Sequence, residues 1–148
     1  MKKFSAVITL ILVLSLCATA LIGCGGTAKA ELLYATDGLV VFRINEKMDN
    51  ATVLDALNYL KEEGKLDFKS ETGAWGAYIT EVNGVAEVVG ATSGKSWMAY
   101  SSDPDGSSLE FGSFTYEGLA LGQTANGVST QLVKVGCIYA LRLDEWAF

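Results

Sequence analysis

Thr52-Val53-Leu54-Asp55-Ala56-Leu57-Asn58-Tyr59-Leu60-Lys61-Glu62-Glu63-Gly64 reads as a helix. Val53, Leu57 and Leu60 fall at i, i+4 and i+7, with Leu54 and Ala56 flanking that stripe, so one face is apolar at helical period. Thr52 with Asp55 three residues on matches a capping box, and Asn50 is the other candidate cap. Lys61, Glu62 and Glu63 form an exposed end, and Gly64 suits the position just past a helix. No other segment repeats this pattern. Working outward from it, the signals on both sides belong to strands.

Upstream, Leu39-Val40-Val41-Phe42-Arg43-Ile44 is rich in β-branched and aromatic residues and reads as a strand. Downstream, Ala77 to Val82 runs into Asn83-Gly84, the preferred pair for a type I′ hairpin, with Val85 to Val89 as the return strand. Ser96 to Ser101 and Leu109 to Tyr116 are further strands, separated by a loop over Ser102 to Ser108. Gly118 to Ser129 is Gly-rich and ambiguous, with a turn at Ala125-Asn126-Gly127. Gln131 to Leu143 reads as a late strand pair broken near Gly136, and Asp144-Glu145 as a tail. There is no internal repeat. One early helix followed by antiparallel strands is an α+β domain.

The N-terminus has a different character. Lys2 and Lys3 precede an apolar run from Ala6 to Leu16, too short to cross a bilayer, which needs about 20 residues, but right for a signal-peptide core. Leu21-Ile22-Gly23-Cys24 resembles the lipobox of bacterial lipoproteins. That resemblance implies cleavage before Cys24 and a diacylglycerol on its thiol. The expected organisation is a signal peptide over 1–23, a lipidated tether over 24–36 and a folded domain over 37–148. The expected location is extracytoplasmic, on the cell membrane or cell surface.

Loss of residues 1–23 leaves 125 residues, enough for one core. It removes two of eleven basic side chains and none of seventeen acidic ones, for a net charge of −8. An acidic domain is a poor partner for nucleic acid or anionic lipid headgroups. With Cys17 removed and Cys24 acylated, Cys137 stands alone and no intramolecular disulfide can form. Its apolar setting reads as a buried small hydrophobe. The chain has no histidine, which rules out a Ser-His-Asp triad and removes the commonest transition-metal ligand. Asp103, Asp105, Ser107 and Glu110 resemble part of a calcium loop but lack its full ligand set, so a solvated hairpin loop is expected and no metal site. No nucleophile, phosphate loop or cofactor motif is present, and no enzyme is expected.

Four segments in order carry a family resemblance: Ala51 to Leu57, Gly76 to Gly84, Ser96-Trp97-Met98-Ala99-Tyr100, and Gly136-Cys137 before the final strand. Together they resemble the transcobalamin-like C-terminal domain family, also called DUF4430. The likeness covers roughly residues 37 to 143, with Glu117 to Gln131 reading as an insertion. It implies a β-grasp-like, mostly antiparallel sheet packed on one helix. It also implies a non-catalytic ligand-binding domain, with cobalamin, another corrinoid or another small molecule as the ligand and no cofactor. Trp97 and Tyr100 match the family's aromatic strand, which lies near the ligand in cobalamin carriers. The competing reading for Trp97 is core. Trp75 and Tyr78, flanking Gly76, are the other candidate ligand-binding residues; the flexible Thr72 to Gly76 context can present Trp75 to solvent, and the competing reading is a loop Trp folded back over the sheet. The alternative function is a structural or adhesive module that contacts another envelope protein.

Overall fold

The structure is a computed structural model and describes residues 28–148. The expected signal peptide and Cys24 lie outside the described residues. Among the described residues, ten strands and one helix follow in order. β1 (Ala30–Thr36) and β2 (Leu39–Ile44) form a hairpin, then comes α1 (Val53–Glu62). β3 (Phe68–Gly73), β4 (Gly76–Val82) and β5 (Val85–Ala86) make a small sheet. β6 (Val88–Val89), β7 (Ser93–Ser101), β8 (Ser107–Tyr116), β9 (Leu119–Thr124) and β10 (Ile138–Ala147) join the first hairpin in the main sheet. The main order is β1-β2-β10-β7-β9-β8, with β6 also on β7. The pairings among the described strands are antiparallel. The fold is therefore mainly β with one short helix.

The helix forms as its sequence dictates. The Thr52 backbone N–H donates to Asp55 Oδ2 at 2.8 Å, and the Asp55 N–H donates back to Thr52 Oγ1 at 3.3 Å, a complete capping box. Gly64 ends it at φ +67°, a left-handed conformation that costs other residues energy. Val53, Ala56, Leu57 and Leu60 are buried.

Period-2 alternation gives the main sheet two apolar sides. On the first, Val40, Phe42, Ile44, Trp97, Tyr139 and Leu141 pack with the helix stripe and with Phe68, Ile79 and Val82 of the small sheet. Phe42 and Tyr139, directly opposed across β2 and β10, stack at 5.8 Å. On the second, Val41, Tyr100, Leu121 and Ala140 form a smaller cluster. It is covered by the chain's own β8–β9 hairpin. That hairpin turns at Glu117-Gly118, both at positive φ, and its end crosses to the opposite edge, where Tyr116 meets Tyr34 of β1 at 6.2 Å. The main sheet thus curls over itself.

Several boundaries differ from the sequence reading. The tether ends early, because residues 30–36 pair along β2 as an edge strand. The expected strand Val85–Val89 splits: β5 pairs β4, while β6 pairs β7 in the other sheet. The expected late strand pair does not form. Residues 131–133 dock on the start of α1 instead, with the N–H of Val53 donating to the Gln131 carbonyl at 2.8 Å and that of Val133 to the Ala51 carbonyl at 2.9 Å. Val128 likewise accepts from Leu54 at 2.9 Å, so part of the insertion satisfies helix N–H groups that lack intrahelical partners. Asp144-Glu145 is no tail, since β10 continues to Ala147. Cys137 is half-buried before β10, and burial pushes its thiol up, away from the reactive thiolate.

Candidate functional site

Alternation along β10 puts Ala140, Arg142, Asp144 and Trp146 on the second side of the sheet. Their direct partners on β7 are Tyr100, Met98, Ser96 and Gly94. This register brings three polar groups together. Arg142 Nε donates to Asp144 Oδ1, and the Tyr100 hydroxyl donates to Asp144 Oδ2. Arg142 Nη2 closes the triangle by donating to the Tyr100 oxygen at 3.0 Å. The guanidinium lies 4.7 Å from the Tyr100 ring centre and 4.8 Å from that of Phe114, within cation–π range. Phe114 meets Tyr100 edge-on at 5.1 Å. Trp146 lies over Gly94, where a Cβ would come within 2.6 Å of the indole, and its Nε1 donates to Ser96 Oγ at 3.0 Å.

Burial, then the bond to Asp144, pushes the Tyr100 hydroxyl up to about 12. Burial opposes the Arg142 charge, but Asp144 and Tyr100 outweigh it and hold the guanidinium above its ordinary value. At neutral pH the phenol is protonated and the guanidinium keeps its charge.

Above it β8 breaks register. Ser108 pairs with Gln123 and Ser113 with Gly122, so Leu109 to Gly112 bulge out between two adjacent partners. Two glycines make room. Gly112 sits at φ +142°, and a Cβ there would lie 3.1 Å from Gln123 Oε1 and 3.7 Å from the Tyr100 hydroxyl. A Cβ on Gly122 would come within 2.8 Å of the Ser108 backbone. The bulge holds Phe111 64% exposed. Beneath it runs a groove of about 640 Å³, walled by Phe111, Met98 and Trp146 and floored by Tyr100, Arg142 and Asp144. That volume lies within the roughly 300–1,000 Å³ of small-molecule sites. A second depression of about 430 Å³ lies beside Val88, Lys95 and Glu145, which alternate to the first side of the sheet, and Trp146 contributes to its rim.

The four aromatic candidates do not share one surface. Trp97 and Tyr100 are three apart on one strand and so point to opposite sides. Trp97 is 6% exposed in the first core, and its Nε1 donates to the Val85 carbonyl at 3.0 Å. Tyr100 is 2% exposed and offers the groove its floor. Trp75, in the β3–β4 turn, is 95% exposed. Tyr78 is half-exposed, and its hydroxyl donates to Glu71 Oε2 at 2.9 Å. Tyr78 and the rim of Trp97 border a separate cleft of about 290 Å³. Arg142, Asp144, Phe111, Met98, Gln123 and Trp146 are groove residues that sequence reasoning missed. The signal was available in Ala140, Arg142, Asp144 and Trp146 as one continuing period-2 strand.

The calcium-like loop is not solvated as expected. Asp103 is buried, its Oδ1 accepting from the Asp105 N–H at 3.1 Å and from Lys134 Nζ at 3.0 Å. Lys134 also reaches Asp105 at 2.8 Å. Asp105 and then Asp103 hold the Lys134 ammonium above its ordinary value. The chain's own ammonium therefore sits between the two loop carboxylates. Among the described residues, no three His, Cys, Asp or Glu side chains converge on one point.

Neither a protein-family model nor a curated protein matches this chain.

Proposed function

We propose that this chain is an extracytoplasmic lipoprotein, anchored by a diacylglycerol on Cys24, whose domain is a non-catalytic module that binds a ligand in the groove beneath the β8 bulge. The bulge carries the reading. It takes two glycines at constrained positions to hold an exposed phenylalanine over a hydrogen-bonded polar floor, and bulges that re-aim side chains cluster at functional sites. The floor favours binding over chemistry: a phenol held protonated and an arginine that keeps its charge are poor general bases at neutral pH. The finer fold reading is β-grasp-like, supported by a helix that follows the first hairpin and packs across the sheet. The transcobalamin-like family reading is supported by the order of capped helix, Asn83-Gly84 turn, aromatic strand β7 and Gly136-Cys137 before β10. A corrinoid is the ligand that reading implies.

Two measurements test it. Thermal unfolding of the full chain and of Phe111→Ala is compared across small molecules that include cyanocobalamin and cobinamide. A ligand that binds only the folded state raises Tm. The expected result is a rise in the parent that Phe111→Ala loses; identical responses in both proteins would overturn the groove as the site. Cys24→Ser is expected to move the protein from the membrane to the soluble fraction and to abolish labelling by a fatty-acid probe. An unlabelled parent protein would sink the lipid anchor.

A second reading, a protein-contacting module, is favoured by Trp75. Residues 28–30 lie beside Glu63 and Lys65 at the end of α1, whereas the Trp75 turn docks through Ser129 near the start of α1, about 15 Å away along the helix. A chain anchored upstream of residue 28 would point Trp75 away from the membrane. A photo-crosslinker at position 75 is expected to capture an envelope protein on that reading, and its failure to do so would remove it.

A further inference from the structure

We infer that the groove takes a neutral carbohydrate chain of more than one sugar residue, an inference that rests on the binding-module reading. Charge balance comes first. On the floor Arg142 is closed on Asp144, and the neighbouring Glu145 pairs with Lys95 at 2.7 Å. Each charged side chain lining the groove is thus already matched by one of opposite sign, so nothing unbalanced awaits an ionic ligand. The described domain is itself acidic and repels polyanions.

The polar groups have the shapes that suit hydroxyls. Carboxylate, guanidinium and carboxamide are planar groups that present paired donors or acceptors, as adjacent sugar hydroxyls require. Asp144, Arg142 and Gln123 all line the groove, with the Ser96 hydroxyl beside them. A guanidinium has five N–H donors, and the network uses only two of those on Arg142.

The rings supply the other half of sugar recognition. A pyranose has apolar C–H faces that pack on aromatic rings, and Tyr or Trp bodies give that area at low entropic cost. Phe111 and Trp146 both face the groove. The groove of about 640 Å³ that these two rings wall has room for more than one sugar ring. That geometry calls for a chain. An extended peptide is less suited, because β7 and β10 are paired to each other along the whole floor, leaving no free backbone ladder between them for a peptide to join.

The test is calorimetry on the full chain in a sugar-free zwitterionic detergent. The probes are linear hexamers and dimers of β-1,4-glucose, α-1,4-glucose and β-1,4-N-acetylglucosamine. At least one hexamer is expected to bind at roughly millimolar Kd or tighter, about tenfold more tightly than its dimer. Phe111→Ala and Trp146→Ala are each expected to weaken it about tenfold or more. Phe111 is exposed, so its truncation leaves the fold intact, and circular dichroism checks both variants. No heat from any hexamer, equal affinity for hexamer and dimer, or binding unchanged in Phe111→Ala would overturn the inference. Corrinoid or peptide binding that is lost in Phe111→Ala, with no hexamer bound, would overturn the carbohydrate and leave the binding module standing. Failure of every probe would count against both.

Discussion

On one side of the main sheet, Val40, Phe42, Ile44, Tyr139 and Leu141 lie under a second layer made of α1 and the small sheet. On the other, Val41, Ala140 and Leu121 are covered by a single folded-over hairpin, and Met98, Arg142 and Asp144 stay partly exposed. The same strands build both sides. A layered cover excludes water over the whole face, and only apolar residues sit well beneath it. A hairpin cover reaches only as far as its two strands, and where its register breaks at Leu109 to Gly112 the sheet beneath can carry a charged network. The groove exists because the second side is under-roofed.

Matched truncations on the two sides test that contrast. Leu57→Ala, under the layered cover, is expected to lower unfolding stability by about 3–4 kcal/mol, because its rigid surroundings cannot close the cavity. Leu121→Ala, equally buried but held by the hairpin, is expected to lose about 2–3 kcal/mol, since the arm can settle inward. Urea unfolding of both proteins checks the difference, and equal losses would mean that the two covers are equally rigid.

Tyr100→Phe probes the network between them. The folded-state pKa of Tyr100 is about 12 against an ordinary 10.0. The protonated phenol is the form the fold favours, so its contribution is present in full below pH 10 and is lost as pH rises through 12. Tyr100→Phe is therefore expected to flatten the stability loss over that window, read from urea midpoints at stepped alkaline pH. An unchanged profile would show that Tyr100 titrates like an exposed tyrosine. Smallest of all, Trp75→Ala lies outside both covers and is expected to shift stability by less than about 0.5 kcal/mol in the same unfolding assay. A larger loss would mean that the β3–β4 turn packs more tightly than its exposure implies.

Local signals were legible where one segment settles its own conformation. The Thr52–Asp55 box, the Val53-Leu57-Leu60 stripe, Gly64 and the Asn83-Gly84 turn are all as the residues imply. What was not legible depends on partners distant in sequence. β3 reads Lys69-Ser70-Glu71-Thr72, with no apolar alternation to announce it, and forms because β4 pairs it. The weakly apolar Leu32-Leu33-Tyr34 passes for tether until β2 lies beside it. Within the site, Tyr100 was legible as an aromatic worth attention, but its role is set by Asp144, forty-four residues on. Trp97 carried two readings, ligand-binding by the family resemblance and core by its size, and its burial in the first core corrects the first.

The early start of β1 bears on reach. If Cys24 holds the lipid, only residues 25–29 separate it from a strand already hydrogen-bonded into the sheet at Ala30. Six extended steps span at most ~20 Å. That is a leash shorter than the bilayer it hangs from, about 30 Å of hydrocarbon. The groove then patrols a thin shell of space beside the membrane. Its encounters are set by lateral diffusion of the lipid and by whatever ligand is present within that shell.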